Sequence, residues 1–117
     1  MAAAKYDFDI EQGSTFNPVL YWKTGKPATP IDLTGCKARM QIRKAFNSVD
    51  PIIDLTTENG GIVLGGVAGT IQIIIAASVT ATYLWNIAVY DLEIVFADLS
   101  VRRLLSGNVL NTPEVTR

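Results

Sequence analysis

The sequence predicts an all-β fold, an antiparallel sandwich of seven to eight strands. Three observations carry that expectation. Apolar residues recur at every second position through most of the chain, which is the strand period. Glycine, proline and asparagine clusters interrupt these runs at short intervals. The longest run, residues 86–111 (NIAVYDLEIVFADLSVRRLLSGNVLN), reads as two long strands about a tight turn at Asp98-Leu99-Ser100. On its first arm Ala88, Tyr90, Leu92, Ile94 and Phe96 share one face, with Ile87, Val89, Asp91, Glu93 and Val95 on the other. On its second arm Val101, Arg103, Leu105 and Val109 alternate with Arg102, Leu104, Ser106 and Asn108. A pair this long belongs in the middle of a sheet.

The remaining elements follow in chain order. Lys5 to Ile10 sets Tyr6, Phe8 and Ile10 against Lys5, Asp7 and Asp9, a short strand with one apolar and one acidic face. Gln12-Gly13-Ser14 ends it, and Thr15 to Lys23 forms a second strand with Pro18 inside. Proline cannot donate to a ladder, so that strand is expected at an edge or at a bulge. Thr24-Gly25-Lys26-Pro27 is a turn and Pro30 to Gly35 a compact corner. From Cys36 to Lys44 the alternation is complete, with Cys36, Ala38, Met40 and Ile42 facing in and Lys37, Arg39, Gln41 and Arg43 facing out. So basic an outer row is expected to face water or an acidic partner.

Phe46 to Pro51 connects to a strand at Ile52 to Thr57, and Glu58-Asn59-Gly60-Gly61 turns into a brief strand, Ile62 to Leu64. Gly65 to Gly69 reverses the chain again before a strand over Thr70 to Ala76. Strand rhythm fails between Ala76 and Leu84, where Ser78 is expected to cap one short helical turn near 78–83, the only helix of the chain. Residues 1–4 and 112–117 are expected to be flexible ends, Pro113 keeping the tail out of the sheet. Together these elements read as one Ig-like domain, residues 1–117.

Composition narrows the function. At 117 residues the chain can bury one core, and 49% hydrophobic against 18% charged residues marks a folded domain. A net charge of −1 lacks the basic footprint expected for nucleic acid. Cys36, the single cysteine, has no internal disulfide partner, which suits a reducing cytoplasm. The N-terminal MAAAKYDFDIEQG has neither the basic start nor the apolar core of a signal peptide. The run Ile71 to Ala77 falls well short of the ~20 residues that span a bilayer. Neither nucleic acid nor membrane is expected as a partner.

Little in the sequence points to catalysis. Histidine is absent, which removes the usual general base near neutral pH and the usual metal ligand. Cys36 lies in an inward row without a partner base and reads as an inert core thiol. Asp91 and Glu93 share a strand face about 7 Å apart, near the separation glycosidases use. They lie mid-strand with no cleft implied, so they read as a solvated or partner-facing acidic row, as do Asp7 and Asp9. Gly60-Gly61 and Gly65-Gly66 are each followed by a strand, so they read as turns and not as phosphate loops. Asp50, Asp54 and Glu58 form the one dense acidic cluster available to a loop metal; no cofactor and no metal is expected. Tyr21, Trp22 and Trp85 are possible stacking platforms for sugar or nucleic acid, though their spacing is that of packing residues.

One resemblance covers nearly the whole chain. Gln12-Gly13-Ser14-Thr15-Phe16, the corner Pro30-Ile31-Asp32-Leu33-Thr34-Gly35 and the alternating Ala38 to Arg43 look like small β-sandwich proteins encoded in tailed-bacteriophage structural gene clusters. Leu55 to Ile62, Gly69-Thr70-Ile71, Tyr90-Asp91-Leu92-Glu93, Arg103 to Gly107 and Pro113 to Arg117 agree. The chain is similar to the β-sandwich domain of siphophage tail-fibre collar proteins and, more loosely, to the N-terminal domain of baseplate upper proteins. It departs at Phe96-Ala97-Asp98-Leu99-Ser100, where relatives carry a glycine-bearing turn, and in the more apolar Ala77 to Trp85.

The resemblance implies a complete, non-enzymatic virion protein, made in the host cytoplasm and located on the phage tail. There it would form a homo-oligomeric ring or adaptor that contacts tail tube, baseplate or fibre and anchors fibres. A capsid decoration or head–tail joining protein is the alternative, and a carbohydrate-binding module of a receptor-binding apparatus the second. The expected interface residues are Lys37, Arg39, Arg43, Asp91, Glu93, Arg102, Trp85 and Leu99, the basic and acidic rows pairing between copies.

Overall fold

In the computed structural model, which describes residues 3–116, the long hairpin is the spine of the larger of two packed sheets. Its arms are β10 (Ile87–Val95) and β11 (Val101–Thr112). β6 (Lys37–Arg43) lies antiparallel beside β10, and β7 (Ile53–Thr56) beside β6. On the far side of β11 run β1 (Ala4–Lys5) and β2 (Phe8–Glu11), both parallel to it. The smaller sheet has the order β3 (Val19–Tyr21), β9 (Thr70–Ile73), β8 (Ile62–Leu64). A separate hairpin joins β4 (Lys23–Thr24) to β5 (Thr29–Pro30).

Burial confirms the sandwich. Ala38, Met40 and Ile42 of β6 and Ala88, Tyr90, Leu92 and Ile94 of β10 are buried, and they meet Ile62, Ile71 and Ile73 from the facing sheet in one core. Burying a large aliphatic side chain contributes ~1.5–3 kcal/mol, so this interface holds the two sheets together. Where Pro18 predicted an edge, β3 is an edge.

Four expectations are corrected. The larger sheet is mixed, because β1 and β2 follow β11 in parallel. Among the described residues the count is eleven strands, since the first two predicted strands each divide and β5 adds one more. The first divides at Asp7, whose carboxylate accepts the Asn108 N–H at 2.8 Å where a backbone carbonyl would otherwise stand. The helical turn is α1 (Ala77–Thr80), but Ser78 lies inside it; its N-cap is Ala76, with no side-chain cap. Thr80 fixes it instead, its Oγ1 donating to the Ser14 carbonyl at 2.8 Å and accepting the Gly13 N–H at 3.1 Å. A second, 3-10 turn covers Gly66–Ala68.

The ends are tied more closely than expected. Ala4 pairs with Leu105, Thr112 pairs with Glu11, and the Glu114 N–H donates to Gln12 Oε1 at 2.8 Å. Residues 1, 2 and 117, also expected to be flexible, lie outside the described residues.

Candidate interaction surfaces

Five of the eight expected interface residues come together on the outer face of the larger sheet. Lys37, Arg39 and Arg43 project from β6, and Asp91 and Glu93 from β10 beside it. The antiparallel register sets Glu93 directly opposite Arg39, and Arg39 Nε donates to Glu93 Oε1 at 2.7 Å. On the other side of β10, Arg103 Nε lies 3.4 Å from Asp91 Oδ2. Lys37 Nζ reaches Glu58 at 4.0 Å. Arg43 donates to Gln41 Oε1 at 2.6 Å and to the Ser48 carbonyl at 2.7 Å, pinning the loop after β6.

Within one chain these rows already pair, Arg39 with Glu93 and Asp91 with Arg103. Alternation reveals which face a residue takes but not which strand lies next to it. Exposed pairs of this kind contribute ~0.2–1 kcal/mol each, so the ladder sets register more than stability.

The other three residues lie elsewhere. The pairing of β10 with β11 slips at Leu92/Glu93, since Leu92 faces Leu105 and Glu93 faces Arg103, which leaves Leu104 as the extra residue of a bulge. Beyond it the faces exchange. Arg103 joins the outer charges, and Arg102 swings to the opposite face with its guanidinium 5.5 Å from the centre of the Trp22 ring. Trp85 is half-buried with its ring 5.2 Å from Tyr83, a packing residue and not an open platform. Leu99 stands on the hairpin tip, 80% exposed, at φ 71°. Asp98 Oδ1 holds that turn by accepting the Ser100 N–H and hydroxyl at 2.9 and 2.6 Å.

Asp91 and Glu93 each face an arginine, so neither stands as an isolated acid or base toward a substrate. Cys36 is half-buried; desolvation and the nearby Asp32 push its thiol pKa up, away from the thiolate a nucleophile needs. Among the described residues no three His, Cys, Asp or Glu side chains converge, so Asp50, Asp54 and Glu58 are not gathered into a metal cradle. Nor does any described helix have the length and apolarity to cross a membrane.

An apolar groove escaped the sequence reading. It measures about 390 Å³ and lies between β3 of the small sheet and β11 of the large one, walled by Tyr6, Leu20, Trp22, Ile71, Leu104 and Leu105. Pro18 marked one of its edges; the bulge that turns Leu104 and Arg102 toward it leaves no mark in the alternation.

No protein-family model matches this sequence, and comparison with curated proteins finds no match. Among solved structures, the chain is similar to Drosophila OTK, extracellular domains 3–5, at 13% identity and a TM-score of 0.37. That alignment covers 90% of this chain and 32% of the other, so the chain spans about a third of that structure. A likeness this weak carries no argument about fold or function.

Proposed function

We propose that the chain is a non-enzymatic structural subunit of a tailed-phage virion, assembling with its own copies and with tail proteins as a collar- or baseplate-type adaptor for fibres. The phage assignment rests on the resemblance in the corner and turn motifs. The assembly role is supported above all by Leu99. A large apolar side chain, 80% exposed, occupies a backbone conformation that glycine adopts without strain. Strain kept at an exposed tip would suit a position selected for contact. Val101 and Val63 are likewise exposed, and Phe46 and Val49 stand out on the loop after β6. Those apolar positions, together with the charge rows, are the surfaces that copies would share.

Electron microscopy of particles assembled without the chain tests this reading. Heads and tails lacking fibres are expected. Unstable or tailless heads would move the protein to the capsid or neck, and unaltered particles would overturn the virion role.

A further inference from the structure

Among the described residues the larger sheet ends at β7, and one side chain holds that edge. The Thr57 N–H donates to the Ala38 carbonyl at 3.1 Å, so by the period of two Ile53 and Leu55 also aim their backbone at β6. Asp54 and Thr56 aim theirs outward. There Asn59 Nδ2 donates to the Asp54 carbonyl at 2.9 Å, and Asn59 Oδ1 accepts the Thr56 N–H at 2.9 Å. A residue of a parallel neighbouring strand would make this same pair of bonds, to one carbonyl and to the N–H two residues on. The Asn59 carboxamide thus stands in for a strand and caps the edge.

The cap is built on a reactive dipeptide. Asn59 is the one asparagine of the chain that glycine follows. Gly60 is exposed at φ 80°, and a Cβ there would meet nothing within 4 Å, so solvent reaches it and no side chain shields its nitrogen. The Gly61 N–H also donates to Asn59 Oδ1, at 2.9 Å, so three hydrogen bonds hold the carboxamide.

We infer that Asn59 is a site of spontaneous deamidation and that the modification uncaps the edge of β7. The Gly60 nitrogen gives up its proton and attacks Asn59 Cγ. The Cγ–Nδ2 bond breaks, and Nδ2 leaves with that proton as ammonia. Water then opens the succinimide at either carbonyl, giving aspartate or isoaspartate with nothing oxidised or reduced. Neither product keeps the donor to Asp54. Aspartate sets a carboxylate oxygen against that carbonyl, which drives the group off the edge, and isoaspartate lengthens the backbone of the turn. Because three bonds hold the carboxamide, attack waits on local opening and the fold sets the rate. The inference is independent of the virion reading.

The test ages the full chain in mildly alkaline buffer and maps its digests by mass spectrometry. Conversion is expected at Asn59 ahead of every other asparagine, and about tenfold or more faster in denaturant, where the three bonds are gone. Amide exchange at Thr56 should be about tenfold or more faster in the aged chain than in fresh chain, with the circular dichroism unaltered. Asn59→Ala removes the cap and the reactive amide together. It should exchange fast at Thr56 from the start and gain no mass at that position on ageing. Should that variant unfold, the comparison of aged with fresh chain decides alone. No conversion at Asn59, an equal rate in folded and denatured chain, or unchanged exchange at Thr56 after conversion would each overturn the proposal.

Discussion

Leu99 occupies the left-handed region at φ 71°, where the Cβ of an L-residue crowds the following carbonyl at a cost of about 1–2 kcal/mol. Glycine has no such clash, so Leu99→Gly is expected to raise stability by about 1 kcal/mol, read from denaturant midpoints. The same substitution should weaken assembly, a combination that separates a contact residue from a structural one. Tyr83 makes the opposite case: it is 6% exposed, yet its hydroxyl meets no partner among the described residues, like the nearby Trp85 Nε1 and Asn111 Oδ1. A buried polar group without a partner costs about 1–3 kcal/mol, so Tyr83→Phe should be neutral or stabilising by about 1 kcal/mol. A clear loss of stability would mean that the hydroxyl is bonded to a buried water. Tyr90 differs again, since its hydroxyl donates to the Tyr6 carbonyl at 2.5 Å and ties β1 to the core. Desolvation first, then the Asp7 charge, raise its pKa above the ordinary 10.0. A tyrosine whose folded pKa is raised keeps its proton in the native state longer than in the unfolded one. Stability is therefore full below pH 10.0 and falls as pH rises beyond it, a loss that Tyr90→Phe should reduce in alkaline denaturation.

At the scale of elements, β6 and β10 were legible because nothing interrupts their alternation: each residue expected inside is inside, from Ala38 to Ile42 and from Ala88 to Ile94. The second arm was legible only in outline. A bulge adds one residue without changing residue type, so the faces of Arg102 and Arg103 exchange with no trace in the pattern. The parallel course of β1 and β2 was hidden for another reason. It depends on Gly107, where an added Cβ would stand 2.3 Å from the Tyr6 carbonyl oxygen and 2.7 Å from Asp7 Oδ1. The N-terminal segment can cross this close to β11 because that side chain is missing. Gly107→Ala is accordingly expected to cost about 2–3 kcal/mol and to release β1 first, seen as faster amide exchange at Tyr6 and Asn108. Ser78 misled because a serine at the start of a predicted turn normally caps it, whereas the buried Thr80 anchors this one from within.

Over the whole molecule, two sheets with unequal strand numbers leave different surfaces to the solvent. The outer face of the larger sheet is a ladder of charges that neutralise one another, with Arg39 on Glu93 and Arg103 on Asp91. Arg39→Glu would place two carboxylates opposite each other and should cost about 1 kcal/mol of fold stability, less at high salt, without deciding whether copies associate. The other exposed features are apolar: the tip at Leu99, the loop at Phe46 and Val49, and the groove beside β3. The candidate surfaces were thus half-visible in the sequence. Leu99 stood out as a large apolar residue in a turn, while the groove needs both sheets in place before it exists.

Native mass spectrometry of the purified chain tests the assembly claim most directly. A discrete species of several copies, shifted toward monomer by Leu99→Gly, is the predicted result. A strictly monomeric chain at every concentration, with Leu99→Gly indistinguishable from the parent, would contradict it.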